Sequence, residues 1–403
     1  MSGGEGAGAS REHPLPESSS AQEDSHAARL ERGPMWASTV PHTARRLSCG
    51  TNVRLSPMHL GLAVLLLATL PGSGCRCRGK DGAPDAAVAV ADLPVQAVAP
   101  PPNPVPAGML RDEQTSAQIV LFPALRPFPE DPLEAVAGIA AREWPALRLE
   151  RPATLSRVAP AVVVGTFDSP GVPAVEVARA GRGLSAIDAT HLERKARVAV
   201  LEFRLASAQV LQDLPRAQQL ALSVAEALDA SALMDGDTRE YFSRASWKQT
   251  RVGGWSGTLP ILPRQVSILQ VPEGSGDRLR SVTLGMAKFG LPDVVVAHHA
   301  PGTDARGLAS LINLVCATLV QHPALEREGL LDVDVGAIVE PELRGALQGF
   351  VRGGRGKATV ALAIAAPRDG DPENRLIEIA FPGTDAGTAQ QAQEALLSLL
   401  FGG

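Results

Sequence analysis

The chain has 403 residues and a formal net charge of -5, from 38 Lys and Arg against 43 Asp and Glu. That balance offers no basic field for nucleic acid, and aromatic residues at 3% are too few to build base-stacking platforms. Four cysteines in a chain of this length argue against a disulfide framework.

Residues 1–57 are dominated by Ser, Gly, Glu, His and Arg without apolar periodicity, the composition of a segment that builds no core. They are expected to be disordered. The next segment, Met58 to Cys75, contains an apolar run from Leu60 to Leu70. At 1.5 Å per residue that run covers about half of the roughly 30 Å of a membrane core, so it is a signal-type apolar region and not a spanning helix. Pro71, Gly72, Ser73 and Gly74 then keep the backbone extended ahead of the Cys75 thiol. An export signal emerges first from the ribosome, so the preceding 57 residues are expected to reflect a mis-assigned start.

This order resembles the lipobox of bacterial lipoproteins, with small residues at Ser73 and Gly74 and a departure at Gly72, where the family carries Leu. The resemblance implies acylation of Cys75 and anchoring to the inner or outer membrane through acyl chains. Of the other cysteines, Cys49 falls in the leader, leaving Cys77 and Cys316 as the one pair for a disulfide.

From Arg76 to about Ser116 the chain carries Pro84, Pro94, Pro100, Pro101, Pro102, Pro104 and Pro106 among Ala and Val. Proline fixes φ and removes donors, so residues 76–116 are expected to form an extended tether. At about 3.1 Å per residue, about thirty residues of such a tether span roughly 90 Å.

Two modules are expected beyond it, 117–230 and 231–403. In the first, Gln118 to Phe122 is a buried-type strand, and a helix follows from about Asp131 to Trp144. Extended segments are expected at Ala161 to Thr166, Ala174 to Val177 and Arg197 to Leu205, then an Ala/Leu helix from about Ser207 to Asp229 that Pro215 kinks or divides. In the second, Ser243 caps a short helix bearing Trp247. Strands are expected at Val266 to Val271, Ser281 to Met286 and Asp293 to Ala297. Leu308, Leu311, Ile312, Val315 and Leu319 mark the buried stripe of a helix, with Cys316 on that stripe. Alternation over Val360 to Ala365 and Leu376 to Phe381, joined by a turn-rich loop, predicts an antiparallel hairpin. Thr384 is expected to cap a last helix that covers the sheet through Ala389, Ala392, Leu396, Leu399 and Leu400. The fold class that follows is α+β: two tandem α/β-sandwich-like modules with mainly antiparallel sheets covered by helices on one face.

Thr283-Leu-Gly-Met-Ala-Lys-Phe-Gly-Leu-Pro-Asp-Val-Val-Val296 carries a T-x-G…G-L-P-[DE] strand-turn-strand. Together with the helix after it and the segment Val198 to Trp247, it resembles uncharacterised bacterial domain-of-unknown-function proteins over about residues 117–403. That family implies a fold and no activity.

Chemistry-bearing patterns are sparse. His298-His299 is an adjacent pair beside Asp304, and these three residues are the catalytic candidates. Successive strand residues face opposite ways, so the two rings do not readily share a metal. His191 and Glu193 would share one face of a strand, with no third ligand nearby in sequence. Asp332 and Asp334 alternate with Leu331, Val333 and Val335 as in a half-exposed strand, with Glu340 and Glu342 beyond. Gly353-Gly-Arg-Gly-Lys-Ala-Thr359 fails as a phosphate loop, because Ala358 stands where Ser or Thr must follow the lysine. No cofactor or metal is expected. The function expected from these features is a lipid-anchored, non-catalytic binding or interaction protein of the cell envelope, with a protein or ligand partner and no nucleic acid. The alternatives are an envelope hydrolase using His298 or His299 and a cytoplasmic accessory or immunity-type protein.

Overall fold

The computed structural model describes residues 98–402 apart from 153–158, 275, 277, 301–303 and 382–388. Cys75, the Met58 to Cys75 segment and Thr384 lie outside the described residues, as do residues 76–97 of the expected tether.

The body is α+β and contains two large, mainly antiparallel sheets. The first has seven strands: β1 (Gln114–Pro123), β2 (Arg148–Glu150), β3 (Ala161–Ser169), β4 (Gly181–Arg182), β5 (Ala196–Ala206), β6 (Ala230–Asp235) and β7 (Glu240–Ser243), in the order β2-β3-β5-β1-β6-β7-β4. Central β1 pairs antiparallel with both β5 and β6, and only the short edge pairs β2/β3 and β4/β7 are parallel. The second has six: β8 (Ser267–Glu273), β9 (Arg278–Leu284), β10 (Asp293–His299), β11 (Leu330–Asp334), β12 (Lys357–Ile364) and β13 (Leu376–Ala380), in the order β8-β9-β10-β13-β12-β11. Here β12 and β13 form the expected antiparallel hairpin, while β13 joins β10 in parallel.

Helices α1 (Leu133–Glu143), α2 (Ala174–Ala180), α3 (Ala186–Glu193) and α4 (Val210–Ala227) pack on the first sheet. Along β1, Ile119 and Leu121 point one way and Val120 and Phe122 the other, and all four are buried, so this sheet is covered on both sides. Short α5 (Arg244–Trp247) follows β7 and is capped by the Ser243 hydroxyl on the Ser246 amide at 3.2 Å, as expected. Helices α6 (Ala305–Gln321), α7 (Pro341–Phe350) and α8 (Ala389–Phe401) belong to the second sheet. One continuous apolar core joins the layers: Leu121, Phe203, Leu214, Phe242 and Trp247 from the first half meet Phe289, Leu291, Val294, Leu311 and Val315 from the second. Burying such side chains contributes about 1.5–3 kcal/mol each.

Several expectations change. The first sheet runs past residue 230, because β6 pairs onto β1 and β7 onto β6; the boundary between sheets lies between Ser243 and Ser267. Residues 101–116 belong to the body, not to a tether. Pro101, Val105 and Leu110 are buried, the Val105 amide donates to the Leu362 carbonyl at 3.0 Å, and Gly108–Met109 pairs with Ala324–Leu325. Prolines fix φ but leave carbonyls and the intervening amides free to bond a sheet edge.

Ala174 to Val177 is helical, as α2, because Pro173 at its N-cap starts a helix as readily as it borders a strand. His191 and Glu193 end helix α3, whose capping box is formed by Ser185 and Asp188, so they do not share a strand face. Helix α4 runs unbroken through Pro215, whose missing amide removes a single intrahelical bond. The buried stripe of α8 is Gln393, Leu397, Leu400 and Phe401, one residue out of phase with the expected set, and Leu399 is exposed.

Candidate functional site

The densest polar chemistry lies in the seam between the sheets, where the T-x-G…G-L-P-[DE] segment meets the turn between β6 and β7. Gly285 and Gly290 have φ of 110° and 71°, values that disfavour other residues. A side chain at either would also meet the first half of the body: Thr238 Cγ2 stands 2.8 Å from a Cβ at Gly285, and Ser207 Oγ 2.8 Å from one at Gly290. The glycines thereby let the 3₁₀ turn Ala287–Phe289 lie against the first sheet, with the Thr115 hydroxyl donating to the Ala287 carbonyl. The motif's Thr283 and Asp293 close the segment on itself, Oγ1 to Oδ1 at 2.8 Å, while Asn374 Nδ2 donates to Asp293 Oδ2 at 2.8 Å.

Lys288, in that 3₁₀ turn, is fully buried and donates through Nζ to Asp235 Oδ2 at 2.8 Å. Asp235 also accepts from Arg251 Nε at 2.7 Å. A π-helical turn, Lys248–Val252, aims Arg251 inward, and this kind of irregularity re-aims a side chain at the cost of regular helix bonding. Arg251 further donates to Thr238 Oγ1 and Glu240 Oε2, both at 2.8 Å, and to the Arg264 carbonyl. Its guanidinium carbon lies 4.5 Å from the centre of the Phe242 ring.

Burial pushes the Asp235 carboxyl up, but the Lys288 and Arg251 cations outweigh it and hold the group at about 2. Burial pulls the Lys288 ammonium below its ordinary value, an effect that Asp235 opposes. Burial raises Asp293 to about 6 against the bonds from Asn374, Thr283 and the Met286 amide. Asp237, in the turn, is raised to about 7 by burial and then by Asp235. Beside this knot runs a buried amide relay: Trp247 Nε1 donates to the Gln218 carbonyl at 3.0 Å, Gln218 Nε2 to Gln265 Oε1 at 2.7 Å, and Gln265 Nε2 to the Arg251 carbonyl at 2.9 Å.

The sequence candidates separate. His298 is exposed, has φ of 57°, and places Nδ1 2.9 Å from Glu273 Oε2. His299 is 2% exposed and lies with Nε2 2.9 Å from Ser281 Oγ, a nucleophile-to-base distance, yet Ser281 is 0% exposed. Burial lowers the His299 pKa, which favours the neutral ring. Asp304 caps α6 by accepting from the Arg306 amide at 3.0 Å. No bond joins any two of His298, His299 and Asp304 among the described residues.

Asp332 takes Arg327 and Thr359, while Asp334 and Glu340 cap the helical turns that follow them. The Gly-rich loop spends its amides on the end of α8, with Arg355 donating to the Leu399 carbonyl at 2.7 Å and Gly356 to that of Leu400 at 2.9 Å. Cys316 is a buried core residue whose thiol burial pushes far up.

No group of three or more His, Cys, Asp or Glu arranged to hold a metal ion occurs among the described residues. No helix among them is long and apolar enough to cross a membrane. A hollow lined by Leu259, Leu262, Val320 and Leu343 measures about 10 Å³, the room of a single water.

The seam was missed from sequence, although it left two traces. One is a lysine inside the apolar Gly285 to Pro292 run; the other is the Asp-Gly-Asp turn that ends the apolar strand β6. Comparison with family models, with curated proteins and with solved structures returns no match.

Proposed function

We propose that this is a lipid-anchored envelope protein, acylated at Cys75, whose α+β body works by binding or interaction and not by catalysis. The anchoring rests on the order of apolar run, small residues and cysteine from Met58 to Cys75. Acyl chains contribute about 0.8 kcal/mol per buried CH₂, so several chains hold a protein firmly to a leaflet.

The observation that carries the non-catalytic reading is where the reactive groups point. Ser281 and His299, and likewise Asp235, Arg251 and Lys288, are buried and bonded to one another, so their polarity stabilises the fold and faces no solvent. A general base or nucleophile has to reach a substrate.

The test is fractionation of cells making the wild type or Cys75→Ala. The wild type is expected to stay in the membrane pellet through an alkaline wash, and Cys75→Ala to move to the soluble fraction. A variant that stays membrane-bound, or a wild type that the wash extracts, rules out the lipid anchor; a wild type recovered in the soluble fraction before any wash favours a cytoplasmic accessory protein.

A further inference from the structure

The seam encloses more carboxyl groups than its cations neutralise. Asp235 and Glu240 are matched by Lys288 and Arg251. Partly exposed Arg182 adds its contact to Glu240 at 2.8 Å. The nearby Arg239 and Arg280 are engaged by the loop after β12: Arg239 donates to the Gly370 and Asp371 carbonyls, and Arg280 pairs with the Asp371 carboxylate. Two carboxyls remain, the enclosed Asp293 and that of half-buried Asp237, whose Oδ2 is enclosed. Asp293 has bonds from Thr283, Asn374 and the Met286 amide. Asp237 has less: the Gln118 amide of β1 bonds its carboxyl, and Oδ2 is buried with no partner.

The charged groups that face Asp237 are Asp235 at the end of β6, Lys288 in the 3₁₀ turn and Asp293 at the start of β10. Of these only Lys288 is a cation, and its ammonium is bonded to Asp235. A buried carboxylate oxygen without a donor is costly, whereas a protonated carboxyl loses the charge and with it most of that cost.

We propose that Asp237 is a proton-operated latch in the seam between the two sheets. With its proton it is neutral and the β6–β7 turn lies closed against the Gly285 segment; once ionised, it is repelled by Asp235 and Asp293 and the turn is loosened. The folded protein keeps this proton up to about pH 7, whereas the ordinary carboxyl loses it near 3.8. Between those values the folded state binds more protons than the unfolded one, so stability falls as pH rises through the window. Asp293, raised to about 6, acts in the same direction. His299, lowered by burial, acts in the opposite one.

The difference between wild type and Asp237→Asn isolates the latch, because Asn keeps the shape and removes the titration. Urea unfolding of the full chain at about pH 5.5 and about pH 8 is the measurement. The wild type is expected to lose about thirtyfold more of its folding equilibrium constant across that interval than Asp237→Asn does. Equal losses in the two proteins overturn the proposal. A second measurement does not depend on the variant folding: a carboxyl ¹³C titration of the wild type is expected to contain a midpoint near 7. A set of carboxyl midpoints that all lie below about 6.5 also overturns it.

Discussion

Two charged clusters on this body use the same residue types to different ends. In the seam, Arg251 and Lys288 meet Asp235 and Glu240 with no side chain more than 11% exposed. At the rim of the second sheet, Glu273 meets His298 and Arg368, whose side chains are 54% and 46% exposed. Burial alone would raise Glu273, but the His298 amide and Arg368 bring it below its ordinary value. At the rim Glu273 is only 8% exposed but its two cations stand in water, whereas in the seam both signs are enclosed. Removing one member of a buried pair leaves a charge stranded, which costs far more than the intact pair contributes. Exposed pairs are worth about 0–1 kcal/mol. The clusters therefore differ less in how much they stabilise than in how much they punish a change.

Arg251→Met gives the largest expected effect. It leaves Asp235 with Lys288 as its one cation and Glu240 with partly exposed Arg182 as its one cation, unbalances two buried acids at once and removes the bond to the Arg264 carbonyl, and is expected to cost about 3–5 kcal/mol in urea unfolding. A loss below about 1 kcal/mol would put the seam on the same footing as the rim. Lys288→Met is next. Asp235 keeps Arg251, so the cost is expected to be about 1–3 kcal/mol, and a loss equal to that of Arg251→Met would show that the two cations are not ranked by their number of partners. The smallest effect belongs to His298→Gly. It removes a contact to Glu273 but relieves a non-glycine residue at positive φ, and the two terms are expected to leave stability within about 1 kcal/mol of wild type. A larger loss would mean that the rim is as unforgiving as the seam.

Elements set by local pattern were legible. Alternation placed β5, β12 and β13, and the stripe of Leu308, Leu311, Ile312, Val315 and Leu319 placed α6 and put Cys316 in the core. Ser243 was legible as a cap because capping is a contact across three residues. Short segments were not: four residues from Ala174 to Val177 carry no period, and Pro173 opened a helix there. His191 and Glu193 were misplaced for the same reason. The catalytic candidates were visible as residue types, but their separation was not, since Ser281, Glu273 and the Arg306 amide reach them from different elements.

What the sequence determined by itself is the α+β alternation and the amphipathic faces, both of them consequences of local spacing. What the tertiary structure alone decided is which polar residues are enclosed. Asp235, Arg251 and Lys288 lie 16 to 53 positions apart and meet only because two glycines let one sheet's turn rest against the other sheet. Burial, not residue type, then turns ordinary aspartates into groups with altered proton affinity, because the cost of charge depends on the surrounding medium, and that medium is assembled from distant parts of the chain.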